Sequence, residues 1–571
     1  MKPKGKIGIV LHAHLPYVIS YGTWPHGMDW INEAAAETYL PLLDVCTRLA
    51  EDGIKPKLTI GITPVLAEQL STNEFKESFV DYLNMKIKYT RENEKEFKET
   101  GETKKAELAS MWFDYYNGLL KKFVSVWSRD IVWGFSQLQS EGFIEIIASC
   151  ATHGYLPLLK RDESVRAQVS IGVSTYEKHF HTSPAGFWLP ECAYRPSYMW
   201  KPPVGDYEPY ERQGVEEILN ENGLSYFFVD QHLIKGGRAI GTYLSRFEGL
   251  KLLWERFARE YKPLDEESEK SVYEPYYAVS PGKEKGAVVF GRDPVTALQV
   301  WSGEWGYPGD FRYLEFHKKH FPGGLRYWRV TGPRVDLAYK EVYEPDKARE
   351  AVKEHAQHFC KIVRDTLSQF YAETGKAGIL SALYDAELFG HWWFEGPLWL
   401  EEVVRRLHAS SEVELVNYSE FLEENPPDKV ISLPEGSWGE GGFHYIWLND
   451  MTTWTWERIY ECEDWIVELL NRVKEQMDEI DDLTLQFLHQ AAKELLLLQA
   501  SDWQFLITTL TAKDYAEARV VRHYENFKRL KKAIDSRLDA GSFREEDVAF
   551  VKKLQDVTPI FEHINPFEWV K

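Results

Sequence analysis

KIGIVLHAHLPYV, residues 6–18, is an apolar, β-branched run that stops abruptly at two histidines, His12 and His14. A run of this length and composition reads as a strand, and residues two apart on a strand share a face, so both imidazoles point the same way. The pattern recurs in KLTIGITPV (57–65), FIEIIASC (143–150), AGFWLP (185–190), SYFFVD (225–230), GAVVFGRD (286–293) and AGILSALYD (377–385). Helical periodicity lies between the runs, beginning with about 32–52. Strands alternating with helices predict parallel β/α units, and here there are enough of them for a barrel.

Two stretches interrupt the alternation. Residues 77–130, containing TRENEKEFKETGETKKAELASMW, are charged and periodic and predict a helical insertion. Residues 255–285 are polar and irregular and predict a surface excursion. After LEENPPDK (422–429) the strand pattern is expected to stop. From about 452 the chain reads as helix to near its end, including LTLQFLHQAAKELLLLQ (483–499). The expected organisation is therefore a barrel from 1–76 and 131–425, the insertion at 77–130, and a helical C-terminal unit at 426–571 that closes a cleft.

Composition narrows the partners. With 571 residues the chain exceeds one ordinary domain, and 44% hydrophobic residues suit a folded protein. A net charge of −22 argues against nucleic acid and anionic membrane, both of which need a basic face. Five scattered cysteines with no CxxC spacing point away from a disulfide framework or a cysteine zinc site. No stretch approaches the length of a membrane span, and the basic start lacks a cleavage site, so a cytoplasmic location is expected. Aromatic residues reach 14%, and many sit beside glycine, proline or charge, where a ring facing a cleft can grip a sugar.

In β/α barrels the functional groups gather where strands end. Here those ends carry His12 and His14, His153 in ATHGYLPLL, Glu191 in GFWLPECAYRP, and Asp385 in YDAELFGHWWFEGP. Two carboxylates at different strand ends, with Trp188, Trp392 and Trp393 nearby in sequence, suit glycoside chemistry. One attacks the anomeric carbon while the other donates a proton and later removes one. The His-x-His pair leaves two alternatives open at this point: a metal-dependent hydrolase or polysaccharide deacetylase, and a purely structural pair inside the barrel.

HAHLPYV, ATHGYLPLL, GFWLPECAY, FVDQH and YDAELFGHWW, taken in order, resemble the signature regions of glycoside hydrolase family 57. The resemblance spans most of the chain. It implies an α/β fold, an incomplete (β/α)7 TIM-like barrel with a helical insertion and an all-helical C-terminal domain. It also implies Glu191 as nucleophile and Asp385 as general acid/base, with His12, His14 and His153 contacting sugar rather than metal, and no cofactor.

Within the family, three segments resemble the branching subgroup. RDPVTALQVWSGEWGYPGD (292–310) implies Arg292, Trp301 and the backbone of Gly309 in a glucan groove. EGSWGEGGFHYIWLND (435–450) implies Trp438 and Trp447 at the cleft edge, and QASDWQFLI (499–507) implies Asp502 and Trp503 turned toward the site. The glycine-rich LIKGGRAIGTYLSR (233–246) implies a lid carrying Tyr243, which excludes water and favours transfer over hydrolysis. The expected partner is an α-1,4-glucan (amylose, amylopectin or glycogen) serving as donor and acceptor. An α-amylase or 4-α-glucanotransferase using the same carboxylates is the alternative.

Overall fold

The seven expected strands form in the computed structural model, and they lie parallel. The structure describes every residue except 1–2, 238–249, 251–252, 254–261, 268, 304–305, 333 and 477–479. The strands are β1 (Gly5–Ala13), β2 (Thr59–Ile62), β3 (Glu145–Ser149), β4 (Gly186–Trp188), β5 (Met199–Trp200), β6 (Tyr210–Glu211), β7 (Tyr226–Val229), β8 (Tyr276–Ala278), β9 (Ala287–Gly291), β10 (Gly378–Asp385), β11 (Val413–Leu415) and β12 (Val430–Ile431). β5 and β6 make a separate hairpin.

The main sheet runs β10-β1-β2-β3-β4-β7-β9-β8-β12, and its first seven strands are parallel throughout. Parallel strands are covered on both faces, which explains why these segments read as continuous apolar runs rather than alternating ones. The sheet curls until β9 nearly meets β10, where contact shrinks to a bridge between Arg292 and Ser381, with Asp293 N donating to Ser381 O at 2.9 Å. The barrel is therefore incomplete. At its base the Tyr418 ring fills the space a Cβ on Gly8 would need, and Glu145 caps the helix that Tyr418 begins.

Some elements depart from the reading above. β8 pairs antiparallel with β9, and β12 adds to β8 beyond residue 429, so the sheet continues where the strand pattern was expected to stop. Both are three residues or shorter, too short for periodicity to reveal. The helix near 32–52 is broken by a π-helical turn at Ala35–Tyr39. The charged stretch forms two helices, Asn73–Glu99 and Thr103–Ser125, packed as a hairpin. The C-terminal stretch supplies Thr453–Glu475, Asp482–Leu498, Asp502–Thr509, Lys513–Ala540 and Glu545–Val557.

Many rings expected to face a cleft are core instead, with Trp188, Trp393, Trp447 and Trp503 all fully buried. A large indole gains more from complete burial than its flanking glycines or charges suggest. None of the described helices is long and apolar enough to cross a membrane.

Candidate active site

A parallel sheet brings every strand's C-terminal end to one side, so residues far apart in the chain meet there. Asp385 ends β10 directly beside His12, its register partner on β1. His153 follows β3, Glu191 follows β4, Asp230 follows β7 and Arg292 follows β9. His153 and Glu191 adopt left-handed backbone, with φ of 59° and 60°. Such residues cost about 1 kcal/mol or more and cluster at functional sites. Here the sharp turns end the strands and free the side chains for the site.

Glu191 is partly buried, and its Oε2 accepts the indole N–H of Trp438 at 2.8 Å. The Trp438 backbone N–H also donates to Glu191 O at 3.1 Å, which locks the two segments together. Burial pushes the Glu191 carboxyl up to about 8, against the Trp438 hydrogen bond, while the charges of Asp385 and Asp502 push it further up. A carboxyl raised by burial and by a second carboxyl is a recurrent mark of a catalytic site. Asp385 is also partly buried.

The three histidines form a stack. His14 and His153 lie face to face with ring centres 3.9 Å apart, and His12 lies 4.5 Å from Trp188. Nε2 of His12 and Nε2 of His153 share a hydrogen bond at 3.0 Å. Burial, and then the neighbouring imidazoles, hold both well below the usual histidine range, so both are neutral and one donates to the other. The helical unit completes the set: His153 Nδ1 meets Ser501 Oγ at 2.9 Å, and His14 Nε2 meets Asp502 at 2.9 Å. His14 Nδ1 meets Thr63 Oγ1 at 3.0 Å.

Among the described residues, two groups could offer three ligand atoms to a metal ion: His14, His153 and Asp502, and Glu33, Glu37 and His391. In the first, the two imidazole planes differ by only 18° and lie face to face. In-plane lone pairs on stacked rings run side by side rather than converging on a tetrahedral or octahedral centre. In the second, Lys319 already pairs with Glu33 at 2.8 Å and Arg326 with Glu37 at 2.8 Å. Both sets fit hydrogen bonding better than metal.

The remaining expected residues have different fates. Arg292 is buried with its guanidinium 5.1 Å from the Trp438 ring and 5.8 Å from that of Trp301, which joins it to the Glu191 wall. Among the described residues, no hydrogen-bond acceptor meets its Nε or Nη2. Gly309 ends a short turn at Tyr307–Gly309 and is partly exposed. Trp447 is not at the cleft edge: it is fully buried and stacks on Tyr155 at 4.4 Å. Trp503 is likewise turned inward, donating to Leu497 O at 2.8 Å. Packing of the helical unit claims both rings. Trp392 is 43% exposed on Phe316, while Trp393 is buried. Tyr243 lies outside the described residues.

The sequence reading omitted Thr63 and Ser501, which hold the histidines, and the pair Tyr39 and Glu387, where Glu387 Oε1 accepts the Tyr39 hydroxyl at 2.6 Å and the His14 backbone N–H at 3.0 Å. Thr63 ends the second apolar run and Glu387 sits in the Asp385 motif, so both carried a signal; Tyr39 carried none.

The family model for glycosyl hydrolase family 57 matches residues 8–434. The chain belongs to glycosyl hydrolase family 57. A second model, 1,4-α-glucan branching enzyme C-terminal, matches residues 458–569. Within family 57 the chain is similar to a 1,4-α-glucan branching enzyme of Thermococcus kodakarensis, 43% identical over 99% of this chain and 77% of that protein. A crystal structure of a family 57 branching enzyme from that archaeon, in complex with glucose, matches with a TM-score of 0.89 at 42% identity, covering 100% of this chain and 97% of that one. A branching enzyme from Pyrococcus horikoshii gives 0.88 at 39%, with 100% and 97% covered. An α-amylase from Thermotoga maritima gives 0.80 at 30%, with 100% and 99% covered.

Proposed function

We propose that this family 57 chain is a 1,4-α-glucan branching enzyme, a retaining transferase that cuts α-1,4 links and rebuilds them as α-1,6 branches. In this reading Glu191 attacks the anomeric carbon while Asp385 protonates the departing chain, leaving a covalent glucosyl-enzyme. Asp385 then takes the proton from an acceptor 6-hydroxyl as that oxygen displaces Glu191. Two displacements retain the α configuration. Donor and acceptor are both α-1,4-glucan (amylose, amylopectin or glycogen), and no cofactor or metal enters either step.

The observation that carries the reading is the bond from Trp438 to Glu191, reinforced by the likeness of the whole chain to named branching enzymes. A donor hydrogen bond favours the ionised nucleophile that a retaining mechanism needs. The free N–H groups of Arg292 and the neutral imidazoles supply partners for sugar hydroxyls. We assign 1–76 and 131–425 to the catalytic barrel, 77–130 to the helical insertion, and 426–571 to the unit that closes the cleft through Ser501 and Asp502, except that β12 at its start extends the barrel sheet. Five free cysteines support a reducing, cytoplasmic setting.

The likeness to an α-amylase keeps one rival, in which water is the acceptor. Amylose treated with the enzyme and then debranched decides between them. New α-1,6-linked chains with little prior reducing sugar support branching, and rising reducing ends without branches support hydrolysis. Glu191→Gln should abolish turnover in either case while leaving the fold intact.

A further inference from the structure

Trp438 reaches Glu191 from a loop, residues 435–444, whose ends are Glu435 and His444, and the mechanism above uses neither. The two ends meet through their side chains, with His444 Nε2 2.7 Å from Glu435 Oε1. The other nitrogen of the same imidazole, Nδ1, lies 2.9 Å from the hydroxyl of Tyr155, two residues beyond His153 and past the end of β3. Tyr155 and His444 are both buried, Tyr155 stacked on Trp447 and His444 covered by the Phe443 ring at 4.1 Å. Tyr198 donates to the second oxygen of Glu435. A carboxylate only accepts, so His444 Nε2 carries the ring proton and donates it to Glu435. In the neutral ring Nδ1 is then the acceptor of the Tyr155 hydroxyl. One tautomer satisfies all three groups and fastens both ends of the loop to the barrel.

Between those ends the loop, EGSWGEGGFH, holds four glycines in ten residues and reverses at Gly441 and Gly442, with φ of 76° and 71°. A chain so rich in glycine loses much conformational entropy on ordering, so holding one of its rings at hydrogen-bond distance requires fixed ends. Gly436 exchanges two backbone bonds with Tyr194, at 2.8 and 3.0 Å, just past Glu191. Ser437 Oγ donates to Phe443 O at 2.6 Å and Ser437 N to Gly442 O at 3.1 Å, which draws the two arms together. Gly442 O also meets His232 Nε2, after β7, at 3.1 Å. Trp438 follows Ser437 directly, so closure of the arms sets where its indole points.

We propose that His444 is a positioning residue: by bridging Tyr155 and Glu435 it holds this loop closed and so keeps the Trp438 N–H on Glu191. The proposal rests on Glu191 as nucleophile. His444 exchanges nothing with the substrate. Its loss acts through Trp438, whose indole drifts from Glu191 Oε2 once the arms part and leaves the ionised nucleophile without its donor.

Two variants test this. His444→Gln keeps a donor for Glu435 and gives up Tyr155, while Tyr155→Phe removes one hydroxyl and leaves its ring stacked on Trp447. Each should lower kcat/KM on amylose ~10-fold, the effect of losing a hydrogen bond to a charged group. Each should also move the acidic limb of the profile to higher pH, because the lost donor favoured the ionised carboxylate. In a Trp438→Phe background that bond is already gone, so either variant should change kcat/KM there by less than about twofold. The indole proton of Trp438, assigned in 15N-labelled protein by its disappearance in Trp438→Phe, should shift upfield in both variants. Losses that persist in full in the Trp438→Phe background, or an acidic limb left in place, overturn the proposal. If His444→Gln fails to fold, Tyr155→Phe carries the same three readouts. Glu191→Gln separates the two claims: retained turnover there defeats the nucleophile reading, whereas a dead Glu191→Gln beside fully additive losses defeats only the role of His444.

Discussion

Replacing Trp438 by phenylalanine removes a single N–H from Glu191 Oε2, a contact of 2.8 Å, and keeps an aromatic ring against Trp188, 5.2 Å away in the native chain. The backbone bond from Trp438 N to Glu191 O, at 3.1 Å, does not depend on the side chain and survives. A hydrogen bond to a charged group contributes about 1.5–3 kcal/mol. At 1.36 kcal/mol per decade that corresponds to a ~10- to 150-fold fall in kcat/KM. The sign on pH follows from which form the bond favours. The indole stabilises the ionised carboxylate, so its loss raises Glu191 above its already high value of about 8. The acidic limb of kcat/KM, which reports ionisation of the free enzyme's nucleophile, should then move to higher pH by about one to two units. The assay is branching of amylose followed by debranching and chain counting across pH, with circular dichroism confirming the fold. A variant within twofold of wild type, with its acidic limb unmoved, would refute the claim that Trp438 tunes Glu191.

Three further outcomes are expected. Glu191 is protonated more readily folded than unfolded, so its stabilising effect is present below the ordinary glutamate range and lost as pH rises through about 8. Glu191→Gln should therefore raise Tm by a few degrees on the alkaline side and by nothing in acid, read by calorimetry; a Tm that falls in alkali would contradict this. Gly390 has φ of 111°, and a Cβ there would sit 1.7 Å from Glu37 O. Gly390→Ala should displace the His391–Trp393 stretch and cost about 3 kcal/mol or more in denaturant unfolding, whereas a cost below 1 kcal/mol would show the backbone yields easily. Because the His14 and His153 rings stack at 18°, chelators should leave the branching rate unchanged. Activity lost to a chelator and restored by a divalent ion would reopen the metal reading.

All seven parallel strands were legible in the chain, because each is buried on both faces and ends at a polar residue. Glu191, Asp385 and the histidines were legible for the same reason, since a strand end announces itself where an apolar run stops. β8 and β12 were not, being too short to carry a period, and neither was the π-helical turn, whose apolar spacing is that of an ordinary helix.

The sequence by itself determined the parallel architecture and the two carboxyls at strand ends, because burial on both faces writes itself into local composition. Only the tertiary structure decided what surrounds those carboxyls. Trp438 reaches Glu191 across 247 residues, Tyr39 reaches Glu387 across 348, and Asp502 reaches His14 across 488. It also decided that Trp447 and Trp503 belong to the core. Periodicity records which face of an element is covered but not by what. Partners so distant are chosen by the path of the chain between them, and that path is fixed only when the helical unit docks on the barrel.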